Sequence, residues 1–263
     1  MATRTSVRIT PLRSRASGNS AAASRPGEVA QLRSACSTCN LRELCLPCCN
    51  LTRSELELAN RLAFNRTHIR RGESLFRTDD RFTSLYAVRK GFFKSAVLLK
   101  DGRRDQVTGF SMAGEVLGMD GIGTARHTCN AIALEDSDVC AIPFAGLQKL
   151  AREIPSLQRQ FQRMMSREIV REQGVLLLLS QMTADERLAV FLLNLSQRFA
   201  AHGSSPSKFN LRMTREEIGS YLGLSLETVS RTLSKLREEE LIGVQQKYIR
   251  ILDHAGLRRL IGR

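Results

Sequence analysis

Five of the seven cysteines in this 263-residue chain fall within residues 36–49. Thiolates at that density can bind a metal, hold an inorganic cluster or form a redox pair. Cys36, Cys39, Cys45 and Cys48 read C-x2-C-x5-C-x2-C. Four such sulfurs suit a tetrahedral zinc ion, although five intervening residues is short for a zinc ribbon. Four Cys thiolates also suit an iron–sulfur cube. A structural disulfide framework fits less well: the number is odd, the cysteines crowd one end, and the chain is above the size at which a domain needs staples. A redox catalyst fits poorly too, because "CSTC" lacks a thioredoxin-like strand and helix around it. There is no phosphate-cradling loop and no acid–base constellation, so an enzyme is not expected. The four histidines show no ligand spacing, and Cys129 reads as a small buried or half-buried residue.

A second stretch carries different chemistry: "MTREEIGSYLGLSLETVSRTLSKLREEELI", residues 213–242. Thr214 and Glu217 have the spacing of a capping box, in which each side chain satisfies a backbone N–H left orphaned by the first helical turn. Gly223 is a natural stop, and Ser225 can cap a second helix. Two helices joined by so tight a turn make a helix-turn-helix. On the second helix Val229, Leu233 and Leu236 follow core spacing, which leaves Glu227, Ser230 and Arg231 on one outer face near its start. Arg231 can donate two bonds to guanine O6 and N7, Glu227 can accept from a cytosine amino group, and Ser230 can bond a base or a phosphate. Lys and Arg total 40 against 26 acids, a formal charge of +14 that favours a polyanionic partner, either nucleic acid such as double-stranded DNA or an anionic membrane surface.

These groups need elements to hold them. Residues 1–35 form a basic segment whose first 27 residues contain no acid, and they read as a disordered tail rather than a presequence. The composition of the rest is globular. Residues 36–150 comprise the cysteine arm, a helical stretch beginning at Leu51, and short apolar runs separated by glycines. That texture predicts an antiparallel β-roll or jelly roll, with the best hairpin at "LLKDGRR". Residues 151–182 predict a long helix whose seam contains Met165, Ile169, Glu172, Leu176 and Leu179 at a 3.5-residue repeat, as in a dimer-forming coiled coil. Glu172 is anomalous there, since it would approach its twin at a cost of about 1–4 kcal/mol depending on solvent access. A conditional dimer can use that repulsion. Residues 183–263 predict a winged helix-turn-helix with a two-stranded wing, giving an α+β chain overall. The longest aliphatic run, Val175 to Leu179, is too short to span a bilayer, and neither a membrane nor a secretory signal is expected.

"LSLETVSRTLSKL" resembles the reading helix of the CRP/FNR superfamily of bacterial transcription regulators. "LYAVRKGFFK", "VTGFSMAGEVLGMDGIG", "IPFAGLQKL" and "RLAVFLLNLSQRF" resemble its FNR-type, oxygen-sensing branch, over residues 36–263. The resemblance implies a cytoplasmic homodimer in which Glu227, Ser230 and Arg231 read inverted TTGAT-like half-sites, with RNA polymerase as a partner. It also implies a [4Fe-4S] cluster on Cys36, Cys39 and Cys45, which match the arm pattern C-x2-C-x5-C, and on Cys140 in "DVCAIPF". Cys48 and Cys49 depart from the branch, where an aromatic residue is usual. A regulator switched by zinc, by thiol oxidation or by another ligand stays as the alternative. The cyclic-nucleotide branch would need an Arg-Ser pair where this chain has Asn130 and Ala131.

Overall fold

The computed structural model describes residues 65–98 and 105–261. The basic tail, Cys36, Cys39, Cys45, Cys48, Cys49, the helical stretch at 51–64 and the "KDGRR" turn lie outside the described residues.

Eight strands build the first unit: β1 (Asn65–Ile69), β2 (Ser74–Phe76), β3 (Ser84–Lys90), β4 (Phe92–Leu98), β5 (Asp105–Met112), β6 (Val116–Leu117), β7 (Asn130–Ala133) and β8 (Ser137–Pro143). They form two antiparallel four-stranded sheets, ordered β1-β8-β3-β6 and β2-β7-β4-β5. This is the expected β-roll. Val88, Phe93, Ala131 and Val139 close its interior. The first sheet is covered on its other face as well, by α1 (Phe144–Glu153). There Leu85, Ala87, Cys140 and Ile142 pack with Leu147, Leu150, Ile154 and Leu157. Coverage on both faces explains why the adjacent residues Val139 and Cys140 are both buried.

Helix α2 (Pro155–Gln181) opens with proline, whose fixed φ suits the first helical position. It occupies most of the range 151–182 expected for the long helix; residues 151–153 instead close α1, and extended Ile154 separates the two. Leu157 and Leu178 are buried, whereas Ile169, Val170, Leu176 and Leu177 are more than half exposed. Thr183 then caps α3 (Ala184–Ala201) in a reciprocal capping box with Glu186. β9 (Lys208–Asn210), α4 (Arg215–Leu222), α5 (Leu226–Glu238), β10 (Ile242–Gln245), β11 (Tyr248–Ile251) and α6 (His254–Leu260) complete the second unit. The wing has three strands in the order β10-β11-β9, not two. Phe209 of β9 is buried opposite Ile249, and this pairing adds the third strand.

One apolar cluster runs from the β-roll into the helix-turn-helix unit, joining Phe92, Val107 and Phe110 to Phe191, Ile218 and Leu222. Polar bonds frame it. Arg198 donates to both Glu115 oxygens at 2.7 and 2.6 Å and to the Phe110 carbonyl at 2.7 Å. Lys94 Nζ meets Glu217 Oε1 at 2.8 Å. The Val107 N–H donates to Ser220 Oγ at 2.9 Å. The front helix of the reading motif therefore rests on β4 and β5 of its own chain. Among the described residues no helix is long and apolar enough to cross a membrane.

Candidate nucleic-acid interface and sensor site

The reading motif is built by local rules. Thr214 Oγ1 accepts from the Glu217 N–H at 3.1 Å, and Glu217 Oε2 accepts from the Thr214 N–H at 2.7 Å. Burial opposes the charge on Glu217. The bonds from Lys94 and Thr214 outweigh it and hold the carboxyl below its ordinary range. Gly219 is needed where α4 meets the turn, because a Cβ there would sit 2.5 Å from the Leu224 carbonyl oxygen. Ser225 Oγ caps α5 by accepting from the Thr228 N–H at 3.1 Å. Val229, Leu233 and Leu236 are buried as the spacing predicts, and Glu227 and Arg231 are exposed. The backbone N–H of Glu227 and then the Ser225 hydroxyl lower the Glu227 pKa, so it is an ionised acceptor at neutral pH.

Ser230 is half-buried and accepts a bond from Arg215 Nη1 at 3.1 Å. Arg215 is a residue that the sequence reading missed. It stands at the first position of α4, where a cation opposes the helix dipole, and that misplacement was the available signal. Its guanidinium adds a cation beside Ser230 on the outer side of the motif. Lys235 pairs with Asp185, and Thr232 Oγ1 bonds Asp185 at 3.3 Å, which ties the inner side of α5 to the start of α3.

A cavity of about 460 Å³ lies between the β-roll and α2. Asp120, Glu168, Glu172 and Arg171 bring three carboxylates and one guanidinium to its wall. Arg171 pairs with Glu168 and lies 3.9 Å from Glu172. Burial raises the Glu168 pKa, against the pull of Arg171. Met165, Ile169 and Glu172 of the predicted seam line this cavity, while Leu176 points away and is 67 % exposed. Leu179 is half-buried against the core of the reading unit. The structure thus gathers three seam residues on one side of α2 and seats a fourth at its foot. Cys129 also lines the cavity, where burial first and Asp120 second push its thiol up to about 12. A thiol so raised is a poor nucleophile, and its half-buried position agrees with the sequence reading.

Cys140 is 8 % exposed on the α1-facing side of β8, opposite Arg66 on β1 and Ala87 on β3. Among the described residues no three His, Cys, Asp or Glu side chains group as a metal site.

The sequence profile of the cyclic nucleotide-binding domain matches residues 66–153, and that of the Crp-like helix-turn-helix domain matches residues 186–260. The chain is 43 % identical to the fumarate and nitrate reduction regulatory protein of Escherichia coli K12, over 86 % of this chain and 90 % of that one. It is 45 % identical to the transcriptional activator protein Anr of Pseudomonas protegens, over 86 % and 92 %. The chain belongs to the CRP/FNR family. The structure of FixK2 from Bradyrhizobium japonicum superposes with a TM-score of 0.70 at 31 % identity, over 77 % of this chain and 99 % of that one. As a CRP/FNR regulator the chain is a DNA-binding transcription regulator and not an enzyme. The family's nucleotide-binding module is present as a fold, and the charge of its cavity wall disfavours an anion such as a cyclic phosphate. Its wall carries more carboxylates than cations, and Asn130 Oδ1 is engaged by the Thr78 N–H at 2.9 Å. Ala131, at the position where the cyclic-nucleotide branch is expected to carry serine, is fully buried and does not line the cavity.

Proposed function

We propose that this CRP/FNR regulator is oxygen-responsive. It binds a [4Fe-4S] cluster through Cys36, Cys39, Cys45 and Cys140. With the cluster intact it dimerises and binds inverted TTGAT-like sites, acting with RNA polymerase in the cytoplasm to control anaerobic gene expression. The observation that carries the reading is the position of Cys140: a buried thiol where the covered sheet meets α1 and the first turn of α2. Four thiolates are the donor set such a cluster takes, and the relatives named for fumarate and nitrate reduction support the assignment. When bound, the cluster supplies an oxygen-labile covalent tie between arm and sheet.

The chain's own residues do the rest. Cys140 packs with Ile154 and Leu157, so strain at β8 reaches α2 directly. Ile169 and Leu176 offer exposed apolar surface for a second copy, with the half-buried Met165 and Leu179 at its edges. Glu172 opposes the approach, and Arg171 at 3.9 Å offsets part of its charge. We expect Glu172→Ala to relieve about 1 kcal/mol or more of like-charge repulsion and to shift the chain toward dimer in air. Static light scattering in air across a concentration series reads this out as mass, and a variant that stays monomeric would remove Glu172 from the switch.

The test of the proposal is chain purified without oxygen, with iron, acid-labile sulfide and zinc counted per chain. Iron and sulfide near four each are expected for the cube. A single zinc without sulfide would favour the four arm cysteines, Cys36, Cys39, Cys45 and Cys48, as a zinc site.

A further inference from the structure

Arg187 is out of place by its own helix. It is the fourth residue of α3, beside an N-terminus whose dipole disfavours cations. Its guanidinium turns instead to two other helices. Nε donates to the Met182 carbonyl at 2.9 Å, Nη2 to the Leu179 carbonyl at 2.9 Å, and Nη1 to the Leu222 carbonyl at 3.0 Å. Leu179 lies in the last turn of α2, Met182 is its C-cap, and Leu222 is the last residue of α4. These are terminal carbonyls with no partner inside their own helices, at the negative ends of the two dipoles. One rigid fork thus fastens the foot of the seam helix to the back of the reading motif. Gly223, at φ 63°, seats against the same joint. A Cβ there would lie 3.4 Å from Arg187 Nη1 and 3.5 Å from Leu179 Cδ2. Ser225, the cap of α5, follows two residues later.

We propose that Arg187 is a positioning residue that fixes the angle between the seam helix and the reading helix, and so sets the half-site spacing the dimer accepts. The proposal rests on the reading of this chain as a dimer on an inverted repeat. A one-base-pair change moves a half-site by about 3.4 Å and turns it by roughly 35°. A joint held at three points resists that displacement, whereas a joint held by one bond or none gives way. Lysine cannot substitute, because an ammonium on a flexible stem lacks the planar fork.

The experiment uses full chain purified without oxygen and an inverted repeat that the wild type selects from a randomised pool. Failure to select one would sink the dimer reading before any variant is made, and this inference with it. Affinities are then measured for duplexes with the spacing shortened by one base pair, unchanged and lengthened by one. The wild type should prefer the unchanged spacing by about tenfold or more. Arg187→Gln should reduce that preference to within about threefold, while keeping the same base preferences inside a half-site. Should Arg187→Gln melt below the assay temperature, Arg187→Lys is judged by the same ratio. A variant that keeps the wild-type ratio, even with affinity lowered equally on all three duplexes, shows that Arg187 only supports the fold. A wild type indifferent to spacing overturns the proposal as well.

Discussion

Arg231→Ala should abolish operator preference while leaving the protein folded. Arg231 is exposed on α5, with no hydrogen bond or ion pair to another described residue, so its removal disturbs no packing and should change stability by no more than about 0.5 kcal/mol. A bidentate arginine–guanine pair contributes about 1–3 kcal/mol of discrimination, and a dimer makes it twice. The expected loss is then about 2–6 kcal/mol, or roughly 30-fold to 10⁴-fold in specific affinity. Non-specific binding should weaken far less, since it depends on many phosphate contacts and the chain keeps most of its +14 charge. Competition between operator and scrambled duplexes at one fixed salt concentration separates the two effects. A variant that still prefers the operator would mean that the bases are read elsewhere, with Arg215 the first residue to examine.

The reading half was legible because its signals are local. A capping residue and its partner three positions on, a left-handed glycine and a hydroxyl cap act within about thirty residues of each other, and each obeys a rule independent of the rest of the fold. The exposure of Glu227 and Arg231 followed from helical phase alone, whereas Ser230 is half-buried. β9 escaped notice because three residues give too little alternation to see, and it became a strand only by pairing with β11. The joint around Arg187 and the Lys94–Glu217 pair escaped for another reason. Their partners come from separate elements, 123 residues apart in the second case, and no periodicity encodes which ends of a chain will meet. The acidic cavity likewise gathers Asp120, Glu168 and Glu172 from a turn and a distant helix. Cys140 sits between these extremes. Its strand was visible in "DVCAIPF", but alternation alone would have put it or Val139 on a solvent face. Burial of both depends on α1 covering the sheet. Its proposed role as a ligand came from resemblance and not from its spacing.

Replacing Cys140 should have the largest effect of all on the switch. A serine hydroxyl is not ionised near neutral pH and makes a poor ligand to iron, so Cys140→Ser should contain little iron or sulfide after anaerobic purification. Its affinity for the operator should then be equally weak with and without oxygen. Serine also brings a hydroxyl into an apolar cluster of leucine, isoleucine and alanine, at a cost of about 1–3 kcal/mol if no partner is found. Cys140→Ala avoids that cost and separates loss of a ligand from loss of the sheet. Both variants should keep the β-roll folded, which thermal melting checks. The same pair of variants divides the cube from its zinc rival, because a tetrahedral site made from Cys36, Cys39, Cys45 and Cys48 has no use for Cys140. If Cys140→Ala holds as much zinc as the wild type and responds to air as the wild type does, the arm alone is the metal site and the link to β8 is not the switch. If iron and sulfide disappear together while the fold survives, the arm and β8 share one inorganic centre, and that centre borders the apolar cluster in which Ile154 and Leu157 begin the dimer helix.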